Sequence, residues 1–170
     1  MGTSIYDAAV SGDLEAVKTI VASNPDAVSE ADEYGFTALH GLAEEEHPAI
    51  AEFLIERGAN VSAANDEGIT PLHLAAWPEM AVLLLRHGAE VEARAKDGST
   101  PLLVLSAEPE REDVMAVLLE AGASVNATGD DGQTALDIAL LRGEREKAAF
   151  LRQRGGKTSS ELGSAHEGAG

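Results

Sequence analysis

A short signal recurs along this 170-residue chain at nearly constant spacing, and few folds can satisfy it. The segments Gly35-Phe36-Thr37-Ala38-Leu39-His40, Gly68-Ile69-Thr70-Pro71-Leu72-His73, Gly98-Ser99-Thr100-Pro101-Leu102 and Gly132-Gln133-Thr134-Ala135-Leu136 place their glycines 33, 30 and 34 residues apart. A second series, Gly58-Ala59, Gly88-Ala89 and Gly122-Ala123, follows the first at 20 to 24 residues. Two phased signals at one period predict an array of small units, each burying its apolar side against the next.

Each unit has a physical reading. Thr37, Thr70, Thr100 and Thr134 stand where a helix N-cap is needed, because a hydroxyl accepts from the orphaned amides of the first turn. Pro71 and Pro101 occupy the first helical position, where a missing N–H costs nothing. A second helix follows, with apolar stripes at i, i+3 and i+4: Ile50, Phe53 and Leu54; Met80, Leu83 and Leu84; Val114, Val117 and Leu118. Gly58, Gly88 and Gly122 then supply a left-handed terminator, and polar segments lead to the next unit. The predicted unit is helix, turn, helix, extended loop.

These residues resemble the ankyrin repeat, whose pattern runs DxxGxTPLHxAA, then a second helix ending LLxxGA, then a projecting β-hairpin. Gly68 to Ala76 match it almost letter for letter. The resemblance implies an all-α solenoid of about five helix-turn-helix units, near 4–31, 32–64, 65–94, 95–128 and 129–157, in one domain over 1–157. The first unit keeps Ala8-Ala9 and Gly12-Asp13-Leu14 without the GxTPLH start. The last carries Asp137 in place of the histidine, with Arg142, Glu144, Arg145, Glu146, Lys147 and Arg152. Both are expected to be polar caps. Residues 158–170, small and polar without periodicity, are expected to form a loose tail.

Composition excludes several classes. Twelve Lys and Arg against 30 Asp and Glu give a net charge of −18, which repels phosphate backbones and anionic lipid. Nucleic acid and membrane are therefore not expected partners; the acidity favours a basic contact patch on a protein partner, while solubility is its plainer explanation. With no cysteine there is neither a disulfide frame nor a thiolate metal site. The start, Met1 to Tyr6, has no basic-then-apolar signal, and no apolar run approaches the roughly 20 residues that span a membrane. A cytoplasmic monomer without cofactor is the expectation.

Few residues suggest catalysis. His40 and His73 recur 33 residues apart, but zinc needs three or four converging ligands. The family resemblance instead puts this histidine in a hydrogen-bond network between neighbouring units. Glu44-Glu45-Glu46-His47 cannot converge on one ion, since helical neighbours point about 100° apart. Gly156-Lys157-Thr158 has Leu151 where a phosphate-binding loop needs glycine. The chain is expected not to be an enzyme. A metal-dependent or hydrolytic site using His40 and His73 is the alternative, and a structural unit of a larger assembly a third reading.

What remains is a surface. Partners of ankyrin proteins meet hairpin tips and exposed inner-helix positions. By motif position these are Glu33, Tyr34, Phe36, Glu44, Glu45, Asp66, Glu67, Ile69, Trp77, Lys96, Ser99, Glu108, Asp130, Gln133, Leu141 and Arg142. Tyr34, Phe36, Ile69 and Trp77 are large apolar groups where stacking does not require them, and such groups anchor interfaces. Trp77 has a second reading, because the third unit is three residues short: 12 positions separate Ala76 from Gly88, against 15 between Ala43 and Gly58. Trp77 is expected either to project as an anchor or to fold inward over the shortened turn. The implied role is a protein-binding module with a concave contact face, acting as an inhibitor or antidote by occlusion, or as an adaptor.

Overall fold

A computed structural model describes residues 3–167. The chain divides into two compact units, 1–90 and 91–170, where the repeats suggested one domain over 1–157. The secondary structure of the described residues is helical, and the hairpins carry only isolated antiparallel bridges, Ala31 with Thr37 and Thr128 with Thr134.

In the first unit, α1 (Ile5–Val10) and α2 (Leu14–Ser23) are capped by Ser4, which accepts from the Asp7 amide at 3.0 Å, and by Asp13, which accepts from Ala16 at 2.9 Å. A 3-10 turn, Pro25–Ser29, leads to α3 (Ala38–Glu44) and α4 (Pro48–Glu56). A second 3-10 turn, Pro71–Leu74, precedes α5 (Pro78–Arg86). Helix α3 packs on α1 and on the Pro71–Leu74 turn, while α4 packs on α5. The predicted stripes face inward, with Ile50, Leu54, Met80, Leu83 and Leu84 buried. The third inner segment is a single 3-10 turn because the chain leaves it early: Ala75 and Trp77 are extended, and the Ala76 amide donates to the Ala43 carbonyl at 2.8 Å. The three missing residues fall in this connection.

The second unit has α6 (Pro101–Ala107), α7 (Glu112–Glu120), α8 (Ala135–Leu141) and α9 (Arg145–Gln153). Helix α6 packs on α7 and α8, and α8 on α9, around Leu102, Met115, Leu118, Leu136 and Leu151. Lys147 departs from its expected place on a polar outer face. It is fully buried, and its ammonium donates to the Glu108 carbonyl just past the end of α6. That bond holds the loop in which Glu110 takes a left-handed φ of 52°.

The expected loose tail is instead a helix, α10 (Ser159–Glu167); residues 168–170 lie outside the described residues. Thr158 and Glu161 form the same reciprocal cap as the repeat threonines. The Thr158 amide donates to Glu161 Oε2 at 2.7 Å, and the Glu161 amide donates to Thr158 Oγ1 at 3.3 Å. Asp137 accepts the Ser159 amide at 2.8 Å, and Thr134 Oγ1 donates to the Lys157 carbonyl at 2.8 Å. Gly156-Lys157-Thr158-Ser159 thus repeats the G-x-T-P register and starts one more inner helix. The hairpin is missing, since left-handed Gly155 adjoins Gly156 directly, whereas nine residues separate Gly58 from Gly68.

Two carboxylates hold α10 in place. Burial raises the Asp137 pKa, but bonds from Thr134 and Ser159 outweigh it and leave the group below its ordinary value. Arg152, then the Thr158 amide, bring Glu161 down to about 2. Depressed carboxylates stabilise above their unfolded pKa, and that contribution is lost as pH falls through the folded value. Helical chemical shifts over residues 159–163 are expected to be constant above about pH 5 and to fade between about pH 4 and 2. Glu161→Gln should speed amide exchange there at pH 7 while leaving α9 unchanged.

Candidate partner-binding surface

The placement of α3 starts with its cap. The Thr37 amide donates to His40 Nδ1 at 3.0 Å, so Nδ1 carries no proton and the proton resides on Nε2. Nε2 donates to the Ile69 carbonyl at 3.0 Å, fixing the next hairpin against α3. Burial lowers the His40 pKa and keeps the ring neutral. His73 repeats the first half of this arrangement, accepting from the Thr70 amide at 3.1 Å. His40 is thereby committed to structure, and among the described residues no three His, Asp or Glu side chains gather as a metal site.

The hairpin tips of successive repeats are built the same way. Asp32 Oδ1 accepts the amides of Tyr34 and Phe36, each at 2.9 Å, and Asn65 Oδ1 accepts those of Glu67 and Ile69, each at 2.9 Å. The tips lean on one another through the Asp66 amide and the Tyr34 carbonyl, 2.9 Å apart. In the second unit the Asp130 amide donates to the Asp97 carbonyl at the same distance. Gly35 is required at its tip: at φ +84°, an added Cβ would sit 3.0 Å from the Asn65 backbone.

On this frame the sequence-predicted residues divide. In the first unit Glu33, Tyr34, Glu44, Glu45, Asp66, Glu67 and Trp77 are exposed to solvent to differing degrees, Trp77 least among the rings. Phe36 and Ile69, expected to project, are half-buried: the Phe36 ring packs edge-on against His40 at 5.4 Å. Tyr34 is 60% exposed. Trp77 reconciles its two readings, lying over the end of α3 with Nε1 3.3 Å from the Glu44 carbonyl while 40% of it remains exposed. In the second unit Lys96, Glu108, Asp130, Leu141 and Arg142 are exposed, and Ser99 and Gln133 half-buried. Leu141, at 76%, is the most open large apolar residue described.

Sequence reasoning missed Tyr6. Its ring lies on α3 at Gly41, where an added Cβ would come within 2.9 Å of Tyr6 Cε2 and Cζ and 2.6 Å of Val10 Cγ2. A glycine inside a helix costs about 1 kcal/mol relative to alanine, and here it makes room for the ring. The signal was legible: Gly41 stands where the third unit has Leu74. Other rings are shielded differently, with Arg57 over Phe53 at 4.6 Å and Arg154 over Phe150 at 3.7 Å. Tyr6, Tyr34 and Trp77 have no such cover.

Charge separates the two units. Residues 1–90 hold 16 Asp and Glu against three Lys and Arg, a formal charge of −13, while residues 91–170 hold 14 against nine, or −5. The exposed rings of the first unit therefore stand on strongly negative ground.

Short capped helices in tandem define a helical-repeat protein. A family model described as ankyrin repeats (3 copies) matches residues 5–95 and again 78–161, and the chain belongs to the ankyrin-repeat family. It is 41% identical over 71 residues to protein phosphatase 1 regulatory subunit 27 of Mus musculus, covering 42% of this chain and 46% of that one. It is 42% identical over 72 residues to the RelA-associated inhibitor of Mus musculus, covering 42% of this chain and 9% of that protein. The NAD-capped RNA hydrolase NUDT12 of Homo sapiens shares 33% identity over 75 residues, 44% of this chain and 16% of that one. The chain thus spans less than half the length of the regulatory subunit it matches.

His40→Ala removes the partners of a buried amide and a carbonyl, and is expected to cost about 3 kcal/mol by urea titration. Because burial lowers the folded pKa, the unfolded state takes the proton first, so this stabilisation is full above about pH 6.5 and declines below it. The urea midpoint should fall between pH 7.5 and 5.5 by more in the parent than in the variant.

Proposed function

We propose that the chain binds a partner protein along its inner-helix and hairpin surface, with Tyr34 and Trp77 as anchors, and acts by occlusion and not by catalysis. The observation that carries this reading is that two large aromatic residues remain exposed on a surface otherwise rich in carboxylates. The fold does not need them there, and exposed aromatics are the usual anchors of protein interfaces. Glu33, Glu44, Glu45, Asp66 and Glu67 are exposed on the same unit and favour a partner with a basic contact patch. In the second unit Lys96, Ser99, Glu108, Asp130, Gln133, Leu141 and Arg142 form the corresponding contact positions.

The names of two relatives, a regulatory subunit and an inhibitor, support action through binding. The commitment of His40 to Thr37 and Ile69 speaks against the hydrolytic alternative. We read α1 and α2 as the N-terminal cap, with α10 covering the last helix pair, and the protein as a cytoplasmic monomer; no described helix is long and apolar enough to cross a membrane.

A pulldown from source lysate tests the reading, comparing the parent with a Tyr34→Ala, Trp77→Ala double variant of unchanged circular dichroism. Each truncation should weaken binding by about 2 kcal/mol, enough together to lose a stoichiometric band. A band retained at full intensity by the double variant would sink the assignment of these two anchors.

A further inference from the structure

The first unit also contains a recess that neither of the two proposed anchors lines. Tyr6, on the backbone of α3 at Gly41, forms one wall, and Ile5 and Phe36 complete an apolar lining around a volume of about 150 Å³. The charged groups lining it are Glu30 and Asp32, both carboxylates. The surrounding field has the same sign: after burial, Glu44, Asp32, Asp7 and Glu45 raise the pKa of the Tyr6 hydroxyl, in that order. No hydrogen bond joins that hydroxyl to another described residue, so internal bonding does not account for the ring's position.

Two independent features thus meet at one place. A helix keeps a glycine to seat an exposed aromatic ring, and carboxylates converge on the hollow beside it. An anion would be repelled, and a neutral apolar group would leave Glu30 and Asp32 desolvated without a counter-charge. A planar cation satisfies both walls, because a guanidinium stacks on aromatic faces and accepts forked pairing with carboxylates.

We propose that the Tyr6 recess receives one arginine side chain from a basic segment of the partner protein. This rests on the reading that a partner lies along the α3 surface. It adds Tyr6 and Asp32 as binding residues and a guanidinium as the group recognised. Asp32 is suited to a clean test, since Asn65 fills the same role in the next hairpin; Asp32→Asn keeps the turn and removes only the charge.

The full chain, isotope-labelled, is titrated with acetylated and amidated Gly-Arg-Gly and with its citrulline counterpart, which has nearly the same shape but no charge. Saturable shifts of the Tyr6 ring, the Phe36 ring and the Gly41 amide are expected with the arginine peptide, weakened about 5-fold or more with citrulline. Tyr6→Phe should retain the response. Tyr6→Leu and Asp32→Asn should each weaken it about 5-fold, with Asp32→Asn guarding against a folding defect in the leucine variant. Equal responses to the two peptides, or shifts confined to Tyr34 and Trp77, overturn the recess. Neither result touches the lysate experiment, so the recess and the partner reading can fail separately.

Discussion

The structure depends on one reciprocal contact between an N-cap threonine and the side chain three residues on, made at the starts of α3, the Pro71–Leu74 turn, α8 and α10. Inner helices of seven residues, such as α3, α6 and α8, are too short to form by propagation alone. A cap that satisfies two orphan amides therefore supplies a large share of the reason these segments are helical. The third-residue side chain also determines what the helix can attach to. Neutral histidine at position 40 accepts with one nitrogen and donates with the other, so it grips an approaching carbonyl, that of Ile69. Aspartate at 137 only accepts, so it grips an amide, that of Ser159. Glutamate at 161 reaches an arginine on the preceding helix, Arg152, at 2.7 Å. Leu103 does neither, and its helix retains only the long Thr100 contact at 3.4 Å.

That logic explains what the sequence revealed of the fold. Thr37, Thr70, Thr100 and Thr134 were readable as caps because a glycine two residues earlier and a proline or alanine one residue later set the register. The sixth start, Gly156-Lys157-Thr158-Ser159, carries the same chemistry but reads as a loose tail. Deletion of the hairpin breaks the period, and the segment that follows is too polar to show an apolar stripe. Lys147 is misplaced by sequence reasoning for a related reason. Charge predicts exposure unless a carbonyl waits inside, and the Glu108 carbonyl is presented by a loop peculiar to that unit.

The surface was legible by position and less so by side chain. Motif register put Tyr34 at a hairpin tip, where it is open to solvent, but left Trp77 between an exposed and a packed position, and the structure makes it the partly exposed N-cap of α5. It could not show that Phe36 turns back onto the His40 ring, since that contact follows from the path of the capped turn. Tyr6 escapes notice because it sits in a unit without the repeat signature, although its cause, a glycine inside α3, is visible in the sequence.

The acidity of the chain also separates into two kinds. Part of it is turn chemistry: Asp13, Asp32, Asp97, Asp131 and Asp137 each accept backbone amides, so their charge accompanies a structural task. Glu33, Glu44, Glu45 and Glu67 do no such capping, and all four lie in the first unit, where carboxylates outnumber bases by 13. Crowding like charges on one unit opposes its compaction, so a surplus without a structural task lowers stability. Solubility alone would be served by spreading those charges over both units. Their concentration on the unit that also exposes Tyr6, Tyr34 and Trp77 is consistent with the proposed basic partner, which charge would steer and rings would hold by stacking.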